Sequence, residues 1–298
     1  MQQYFVNRTL MQTKDLIISN CIIEDKIFAN ERVDKNWKKE RLLLNNCTFA
    51  KMGFKDAKFN LCDFSFCVFI DCYFKKAEIS QTNFKSCIFI RCNFDLQCLI
   101  DCNFEYASFD NCFIPYKQMK NNLPEDGKEN LRADLCQNLS TQCLNLGEID
   151  DYREYLFEQR RAGEIHSLKK LIHKNDSYYK KYNLFEGICG FFNFLKSKIS
   201  KFCWGYGEKL KTLIRNIIFL ILIYSIPYYF CRALIECENI TISNFLSAIY
   251  LSICSFLNIS NVKFQTDYLN WLWLSENIIG IIFIGLFVTA LFRRINKR

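Results

Sequence analysis

The stretch Phe54–Phe74, FKDAKFNLCDFSFCVFIDCYF, places Phe at every fifth position. The same spacing runs without a gap over residues 42–116, which divide into fifteen consecutive pentads. All fifteen central residues are apolar: Leu44, Phe49, Phe54, Phe59, Phe64, Phe69, Phe74, Ile79, Phe84, Phe89, Phe94, Leu99, Phe104, Phe109 and Ile114. Neither the helical period of 3.6 nor the strand period of 2.0 fits this spacing, so the pattern predicts a repeat architecture.

A small or adaptable side chain stands two residues before most of these centres. The set comprises Cys47, Cys62, Cys67, Cys72, Cys87, Cys92, Cys102, Cys112, Ala57, Ala77, Ala107 and Thr82. Three further pentads, centred on Ile18, Ile23 and Phe28, precede this run in a shifted register, and a polar insert from Glu31 to Arg41 resets the count. The repeat pattern therefore predicts one domain over residues 1–116, with an insert at residues 31–41.

These pentads resemble the pentapeptide-repeat family. The resemblance implies a right-handed quadrilateral β-helix with four pentads in each coil. With twenty residues in each coil, Phe49, Phe69, Phe89 and Phe109 are expected to stack in one column. Stacked coils of this kind hydrogen-bond at a spacing of about 4.8 Å, and each coil is stabilised by its neighbours.

The chain contains 17 cysteines, many of them at one repeat position. We interpret these cysteines as reduced, buried thiols that pack between the Phe rings in a cytosolic domain. A metal site is the alternative interpretation, but thiols that point inward between rings lack open coordination space. We expect no metal and no cofactor.

The net charge of +8 is spread over the chain, and no segment is a basic field of the size that nucleic acid requires. Some pentapeptide-repeat proteins mimic DNA and bind topoisomerases, which requires an acidic face. The pentads of residues 42–116 mix seven basic with eight acidic residues. We therefore expect no nucleic-acid partner and no DNA mimicry.

Residues 117–203 are predicted to form a helical connector. Leu131, Leu135, Leu139, Cys143 and Leu146 share one helical face, and Gly147 is suited to end that helix in a left-handed conformation. A second helix is predicted from Asp150 or Asp151 towards Ile172, which gives an αα-hairpin. His166 and His173 lie seven residues apart. We interpret them as part of a solvated helix face; a pair of ligands or a pH sensor is the alternative interpretation.

Before the last third of the chain, Phe191, Leu195, Ile199 and Phe202 form an apolar stripe with lysines beside it. This pattern predicts an amphipathic helix at the lipid interface. Two long apolar runs follow, Leu210 to Phe230 and Leu269 to Phe292, each long enough to cross a bilayer. The shorter segment from Ile242 to Leu257 is expected to dip into the membrane and return.

Basic residues flank both outer ends of this region, which predicts that both termini are cytoplasmic. The junction Trp204-Gly205-Tyr206-Gly207, the run Phe245 to Ser252 and the segment Glu276 to Arg294 resemble, in that order, a bacterial two-transmembrane ion-channel module. This resemblance covers residues 204–294, and the predicted domain is residues 204–298. It implies a homotetramer in the bacterial inner membrane, with a pore helix, a filter and an inner helix.

The filter is where the sequence departs from potassium channels. Their filter reads Thr-Val-Gly-Tyr-Gly, because glycine lets the carbonyls point inward. The corresponding positions here are Asn258, Ile259, Ser260, Asn261 and Val262, followed by Lys263. Both glycines are absent, so we predict a pore that is not selective for potassium, with Asn amides at the constriction and Lys263 near the outer mouth.

The inner helix carries four further candidate residues: Glu276, Gly280, Gly285 and Thr289. An ionisable group such as Glu276 costs free energy within a membrane span. We expect Glu276 to support the pore loop or to face a water-filled vestibule. A position at the membrane interface is the alternative. Gly280 and Gly285 are interpreted either as gating hinges or as positions of close helix packing.

The sequence thus predicts an oligomeric channel of low or altered selectivity, gated or localised by the cytosolic repeat domain. A non-conducting membrane anchor for the repeats is the first alternative, and a soluble or single-span scaffold is the second. We expect no enzyme, since the sequence has no Walker loop, zinc spacing or nucleophile with a base. Expected partners are further copies of the chain, membrane lipids and an unidentified protein or ligand on the repeat surface.

Overall fold

A computed structural model describes residues 8–13, 22–33, 38–125, 127–172, 178–231, 235–237, 244–259, 262–264 and 266–296. The chain divides into two compact units, Met1–Phe194 and Leu195–Arg298. The first unit includes α-helical residues after the repeats, because Leu135, Leu139 and Tyr155 pack into the core of the repeat domain.

The described residues of the first unit begin with twelve short strands. They are β1 (Thr9–Leu10), β2 (Ile23–Glu24), β3 (Lys26–Ala29), β4 (Lys38–Glu40), β5 (Leu44–Asn45), β6 (Thr48–Ala50), β7 (Lys58–Asn60), β8 (Val68–Ile70), β9 (Glu78–Ser80), β10 (Ile88–Ile90), β11 (Cys98–Ile100) and β12 (Ser108–Asp110). Two parallel sheets, β1-β3-β6-β8-β10-β12 and β4-β7-β9-β11, form two sides of a solenoid. Single bridges such as Gly53↔Tyr73 and Asp63↔Asn83 form the other two sides. The four-sided architecture that the family resemblance implies is therefore observed.

The register confirms a coil of twenty residues, because Phe49 pairs with Phe69, Phe69 with Phe89 and Phe89 with Phe109. Across the predicted insert the offset is 21 residues, since Phe28 pairs with Phe49. The solenoid also starts earlier than the predicted first pentad at Leu16, since Thr9 already pairs with Lys26. The insert belongs to a coil and shifts the register by one residue; its residues 34–37 lie outside the described part of the chain.

The Phe side chains stack in three columns inside the solenoid. Ring centroids of Phe28, Phe49, Phe69, Phe89 and Phe109 follow one another at 4.9, 4.7, 5.0 and 4.9 Å. The other two columns are Phe54, Phe74, Phe94 and Phe64, Phe84, Phe104. Rings from neighbouring columns meet edge to face, an arrangement that adds to the stabilisation by area burial alone. The pentad centres are therefore the core of the repeat domain, as predicted.

The corners of the solenoid are left-handed residues that recur every five positions. From Arg41 to Asn111 fourteen of these positions have φ between +47° and +60°, and none of them is Gly. A left-handed backbone costs a non-Gly residue about 1–2 kcal/mol. Hydrogen bonds between coils offset this cost: the Lys51 N–H, for example, donates to the Ile70 carbonyl at 2.8 Å.

One corner is missing from the series, at Leu96. The inward position two residues before Leu99 holds Gln97 rather than a small residue, and Gln97 is exposed while Leu96 is buried. Burying an unpaired amide between Phe rings would be costly. The local backbone therefore changes so that the Leu side chain fills the interior instead.

The inward cysteines act as weak hydrogen-bond donors. The Sγ atoms of Cys72, Cys92 and Cys87 lie 3.3, 3.3 and 2.9 Å from the carbonyl oxygens of Phe49, Phe69 and Phe64, each in the preceding coil. Burial raises the pKa of the Cys87 thiol far above its usual range, so this thiol stays protonated. Each of these thiols thus supplies both packing and a contact between coils.

Four helices follow the strands: α1 (Tyr116–Met119), α2 (Glu129–Leu146), α3 (Ile149–Ile172) and α4 (Leu184–Trp204). Helices α2 and α3 form the predicted αα-hairpin. Gly147 has φ +82°, and the Glu148 N–H donates to the Cys143 carbonyl at 2.9 Å, so the predicted left-handed end of α2 is confirmed. Leu135, Leu139 and Cys143 are buried in the solenoid core, whereas Leu146 is exposed, contrary to the predicted apolar face.

Side-chain amides close the last coil of the solenoid. The amide of Asn138 on α2 accepts from the Phe109 N–H at 2.8 Å and donates to the Phe109 carbonyl at 3.0 Å. Gln142, one turn later, accepts from the Asn111 N–H at 2.7 Å, and Asn122 bonds the Cys102 N–H and the Leu99 carbonyl. These groups would otherwise be an open strand edge, which templates aggregation.

The second unit contains α5 (Leu210–Phe230), β13 (Ile235–Cys237), α6 (Phe245–Phe256), β14 (Val262–Phe264) and α7 (Asp267–Asn296), after the last turns of α4. The bounds of α5 coincide with the predicted first span, and α7 contains the second. Strands β13 and β14 pair antiparallel, with Glu236 opposite Lys263.

Candidate functional site

The long helices α5 and α7 are the first feature of the candidate site. Both are long and apolar enough to cross a membrane, by length and composition. In the most apolar stretch of each helix, only 22% of the residues of α5 and 28% of those of α7 are buried within the structure. Most of their apolar side chains therefore face outward. Tyr228 near the end of α5 contacts Glu276 near the start of α7, while Leu213 at the start of α5 shares a core with Ala290 near the end of α7. The two helices are therefore antiparallel.

The short helix α6 packs beside α7 in the same direction. Ser252 on α6 bonds Glu276 on α7, and Phe256, four residues later, lies against Gly280, four residues after Glu276. At its start α6 has a capping box, in which Asn244 accepts from the Ser247 N–H at 2.9 Å. Two antiparallel helices thus enclose a short helix parallel to the second of them.

Glu276 is the buried polar centre of this unit, with 1% of its surface exposed. The Tyr228 hydroxyl donates to one of its carboxyl oxygens at 2.7 Å, and the Ser252 hydroxyl donates to the other. The Ser252 oxygen also lies 3.1 Å from the Ile221 carbonyl of α5. One side chain of α7 therefore ties α5, α6 and α7 together through hydrogen bonds that an apolar surrounding strengthens.

The residues predicted to form the filter are divided between two elements. Asn258 has φ +54°, and its N–H and that of Ile259 donate to the Ser255 and Cys254 carbonyls, so these two residues end α6. Val262 and Lys263 belong to β14 and pair with the backbone of β13. Ser260 and Asn261 lie outside the described residues. The four described positions thus belong to two elements, the end of α6 and β14.

The two inner-helix glycines have different surroundings. Gly280 lies so close to the Phe256 backbone that a Cβ atom there would overlap the Phe256 carbonyl oxygen. Gly285 has open space around it within the chain. Thr289 is exposed and donates to the Gly285 carbonyl of its own helix at 2.8 Å. Gly280 therefore lies where α7 packs closely against α6.

A sharp turn joins α4 to α5. Gly205, Tyr206 and Gly207 all have positive φ, at +58°, +59° and +88°. The Asn216 amide of α5 donates to the carbonyls of Phe202 and Cys203 at 2.5 and 3.1 Å, which satisfies the otherwise unpaired end of α4. The Asn216 amide therefore fixes α5 to the last turn of α4.

Sequence reasoning missed Tyr228, Ser252 and Asn216. A signal for Asn216 and Tyr228 was present, because a buried polar group within an apolar run requires a hydrogen-bond partner. The partner of each could not be assigned, since the contacts join residues 13 to 48 positions apart.

A second polar cluster lies in the first unit and contains His166. The sequence predicts that His166 lies on a solvated helix face, but its side chain is half-buried. Its Nδ1 atom lies 3.1 Å from the hydroxyl of the fully buried Tyr179, which donates to Glu129 at 3.2 Å. Burial opposes ionisation of Glu129, but Lys169 and the Gly127 N–H lower its pKa to about 2. Burial, with Lys170 nearby, lowers the pKa of His166. His173 lies outside the described residues.

No group of three or more His, Cys, Asp or Glu side chains in the described ranges is placed to hold a metal ion.

Comparison with known proteins identifies the repeats. The family of pentapeptide repeats matches in eight copies, over residues 54–85 and 77–113. Among solved structures the chain is similar to a trypsin-treated variant of QnrB1, described as a plasmid-mediated fluoroquinolone resistance protein. The two are 14% identical over 36% of this chain and 82% of that chain, with a TM-score of 0.13, so the likeness carries no argument about function. No curated protein matches the chain. The four-sided solenoid is therefore built of pentapeptide repeats.

Proposed function

We propose that this chain, with its pentapeptide-repeat solenoid, is an oligomeric membrane channel of low or altered selectivity, not selective for potassium. In this proposal α5 and α7 cross the bacterial inner membrane, both termini are cytoplasmic, and the solenoid gates or localises the pore. Four copies would surround the pore, as the resemblance to two-transmembrane channels implies.

The observation that carries the proposal is the arrangement of α5, α6 and α7. Two apolar antiparallel helices hold a short helix that runs parallel to the second, through Glu276, Ser252 and Tyr228. A pore helix that enters and leaves on one side requires such support, because its backbone ends cannot face lipid. Ionisable side chains within membrane spans usually have a function. In this proposal the Glu276 carboxyl supports α6.

The backbone after α6 supports altered selectivity. A carbonyl cage requires residues that adopt alternating left-handed conformations without cost, and no glycine occurs between Asn258 and Lys263. Among the described residues of this stretch, Asn258 is left-handed, but it ends α6. Lys263 of each subunit would place positive charge near the outer mouth, which disfavours cations.

Recording from purified protein in planar bilayers with asymmetric potassium chloride tests the proposal. We expect a reversal potential near zero or on the chloride side, and a shift towards the potassium value in Lys263→Glu. Lys263→Arg keeps the charge and serves as the matched control, with no shift expected. A wild-type reversal potential at the potassium value would contradict altered selectivity.

A non-conducting membrane anchor for the solenoid is the second candidate. It is favoured by the pairing of β14 with β13, which holds Val262–Phe264 in a ladder of ordinary strand hydrogen bonds. The same recordings separate the two candidates: protein that integrates into the bilayer but passes no current is the outcome that the anchor predicts.

The role of the solenoid is tested by removing the solenoid and hairpin together, as residues 1–183. The hairpin must go too, because Leu135 and Leu139 are buried in the solenoid core and would be exposed without it. We expect a changed open probability or a changed cellular position. Identical currents and identical location in the shortened chain would contradict a gating or localising role.

A further inference from the structure

Helix α4 carries a wide apolar face of exposed side chains. Phe185, Phe192, Ile199 and Phe202 are 75%, 64%, 57% and 63% exposed. The complete face, called here the α4 arc, consists of Leu184, Phe185, Ile188, Phe191, Phe192, Leu195, Ile199 and Phe202, all of them exposed. With 3.6 residues in each turn, these positions span an arc of about 120° along the helix.

The opposite face of α4 explains why the arc points outward. Gly187 and Gly190 are buried, and a Cβ atom on Gly190 would lie 2.6 Å from the Ser167 carbonyl oxygen of α3. A Cβ atom on Gly187 would lie 3.1 Å from a methyl group of Leu171 on α3. The glycines let α4 approach α3 closely on that side. The helix is therefore fixed with its large apolar side chains directed away from α3.

Charge is placed at the borders of the arc. At about 100° for each residue, Lys196 lies just beyond one border and Lys198 lies at the other. Helix α4 contains three lysines and one acidic residue, Glu186, which lies well away from the arc. Lysines at the borders of an apolar face extend their charged ends to lipid headgroups while their stems remain apolar. This charge favours anionic headgroups, at a membrane surface that is negative on its cytoplasmic side.

The width of the arc argues against a second copy of α4 as its occupant. A two-stranded coiled coil buries a narrow seam of two positions in seven. Leu184 and Phe191 lie outside such a seam and would remain exposed in the pair. A bilayer surface covers the whole arc, because it has no fixed register.

We propose that the α4 arc lies in the membrane–water interface and binds a bilayer that contains anionic phospholipid. The inference rests on the proposed membrane function, since α4 leads directly into α5. Phe185, Phe192 and Ile199 enter the acyl-chain boundary, and Lys196 and Lys198 contact the phosphates. The Gly205-Tyr206-Gly207 turn and Asn216 fix the last turn of α4 to α5.

A photocrosslinking amino acid in the full chain tests this binding. The probe is p-benzoylphenylalanine in place of Phe192, a change that keeps an aromatic ring, with Asn193 on the polar side as the matched control position. The protein is reconstituted in phosphatidylcholine vesicles with and without phosphatidylglycerol, irradiated and digested. We expect lipid adducts on the α4 peptide to be at least about threefold more abundant for position 192 than for 193. We also expect a loss of adduct in Lys196→Gln only when phosphatidylglycerol is present.

Two outcomes overturn the inference and remain distinct from failure of the proposed function. Crosslinked dimers through position 192 would show that a second copy covers the arc. Equal lipid adducts at positions 192 and 193 would show that the arc has no preferred contact with lipid. Extraction of the same vesicles with alkaline carbonate tests the spans separately: release of the chain contradicts the membrane function, whereas retention without an adduct contradicts only the role of α4.

Discussion

Single residues decide how closely the backbones of this protein approach one another. Gly280 permits the backbone of α7 to contact that of α6 at Phe256, and Gly190 permits α4 to contact α3. The Cys residues in the solenoid act similarly, because a larger inward side chain would displace the Phe columns. Where Gln97 replaces a small residue, the coil itself changes conformation.

Replacing Gly280 with Ala is expected to separate α6 from α7. The added methyl group overlaps a backbone carbonyl oxygen that cannot rotate away, so we expect a loss of roughly 1–3 kcal/mol in stability. Thermal melting of the detergent-solubilised protein measures this loss. Gly285→Ala is the matched control, because open space surrounds Gly285 and Ala favours a helix. Equal losses in the two variants would contradict a specific contact at Gly280.

A pH-dependent loss of stability is expected from His166. Its pKa in the folded chain is below the ordinary value of 6.5, so the unfolded chain binds the proton more readily. Stability from this group is therefore complete above about pH 6.5 and declines as the pH falls towards the folded pKa. Hydrogen exchange of α3 peptides should accelerate as the pH falls below about 6.5, after correction for the intrinsic rate.

The control for this prediction is His166→Gln, which removes the titrating group. The pH effect on α3 should disappear in that variant. Glu129 titrates at much lower pH, since its pKa is about 2, and so does not contribute in this window. An unchanged pH dependence in His166→Gln would assign the effect to another group.

At the scale of elements, α2 has two functions in the fold. Its apolar face closes the core of the solenoid, and its amides Asn138 and Gln142 pair with the last strand in place of another coil. A terminal repeat with a polar outer surface is a general requirement of solenoids. The helical hairpin is therefore the cap of the repeat domain, which is why it belongs to the same compact unit.

Replacing Asn138 with Ala is expected to open this cap locally. The Phe109 N–H and carbonyl would both lose their partner, at a cost of about 1–3 kcal/mol. Hydrogen exchange of a peptide spanning residues 104–114 in the full chain should accelerate accordingly. Asn145→Ala is the matched control, since Asn145 is an exposed residue of the same helix. Faster exchange in both variants alike would contradict the cap.

At the scale of the whole molecule, one chain combines a domain with its own core and a unit whose apolar surface is mostly uncovered. The solenoid core is closed by the chain itself, and the described thiols are free. The second unit leaves Ile218, Phe219, Ile281 and Ile282 exposed. Exposed apolar surface of this kind is typical of sites that contact a membrane or another protein.

The channel proposal predicts a defined stoichiometry. Native mass spectrometry of the full chain released from detergent micelles should give four copies, since a central pore requires a closed ring of subunits. The oligomer should persist when the solenoid and hairpin are removed, because the spans form the ring. A monomer under all gentle conditions would contradict a pore shared between subunits.

The sequence alone determined the architecture wherever a strict period was present. The five-residue spacing of Phe predicted a repeat architecture, and the resemblance to pentapeptide repeats implied coils of twenty residues with stacked Phe columns. The apolar runs predicted α5 and α7, since length and hydropathy are local properties. The resemblance to pentapeptide repeats is confirmed over residues 54–113, whereas the channel module remains a proposal.

Only the tertiary structure decided what depends on distant partners. It paired Glu276 with Tyr228 and Ser252, placed Asn138 on the end of the solenoid and turned His166 towards Tyr179. It also placed Asn258 and Ile259 at the end of α6, and Val262 and Lys263 in a strand that pairs with β13. The physical reason is that a hydrogen bond between residues far apart in sequence depends on how whole elements pack, and no local pattern records that packing.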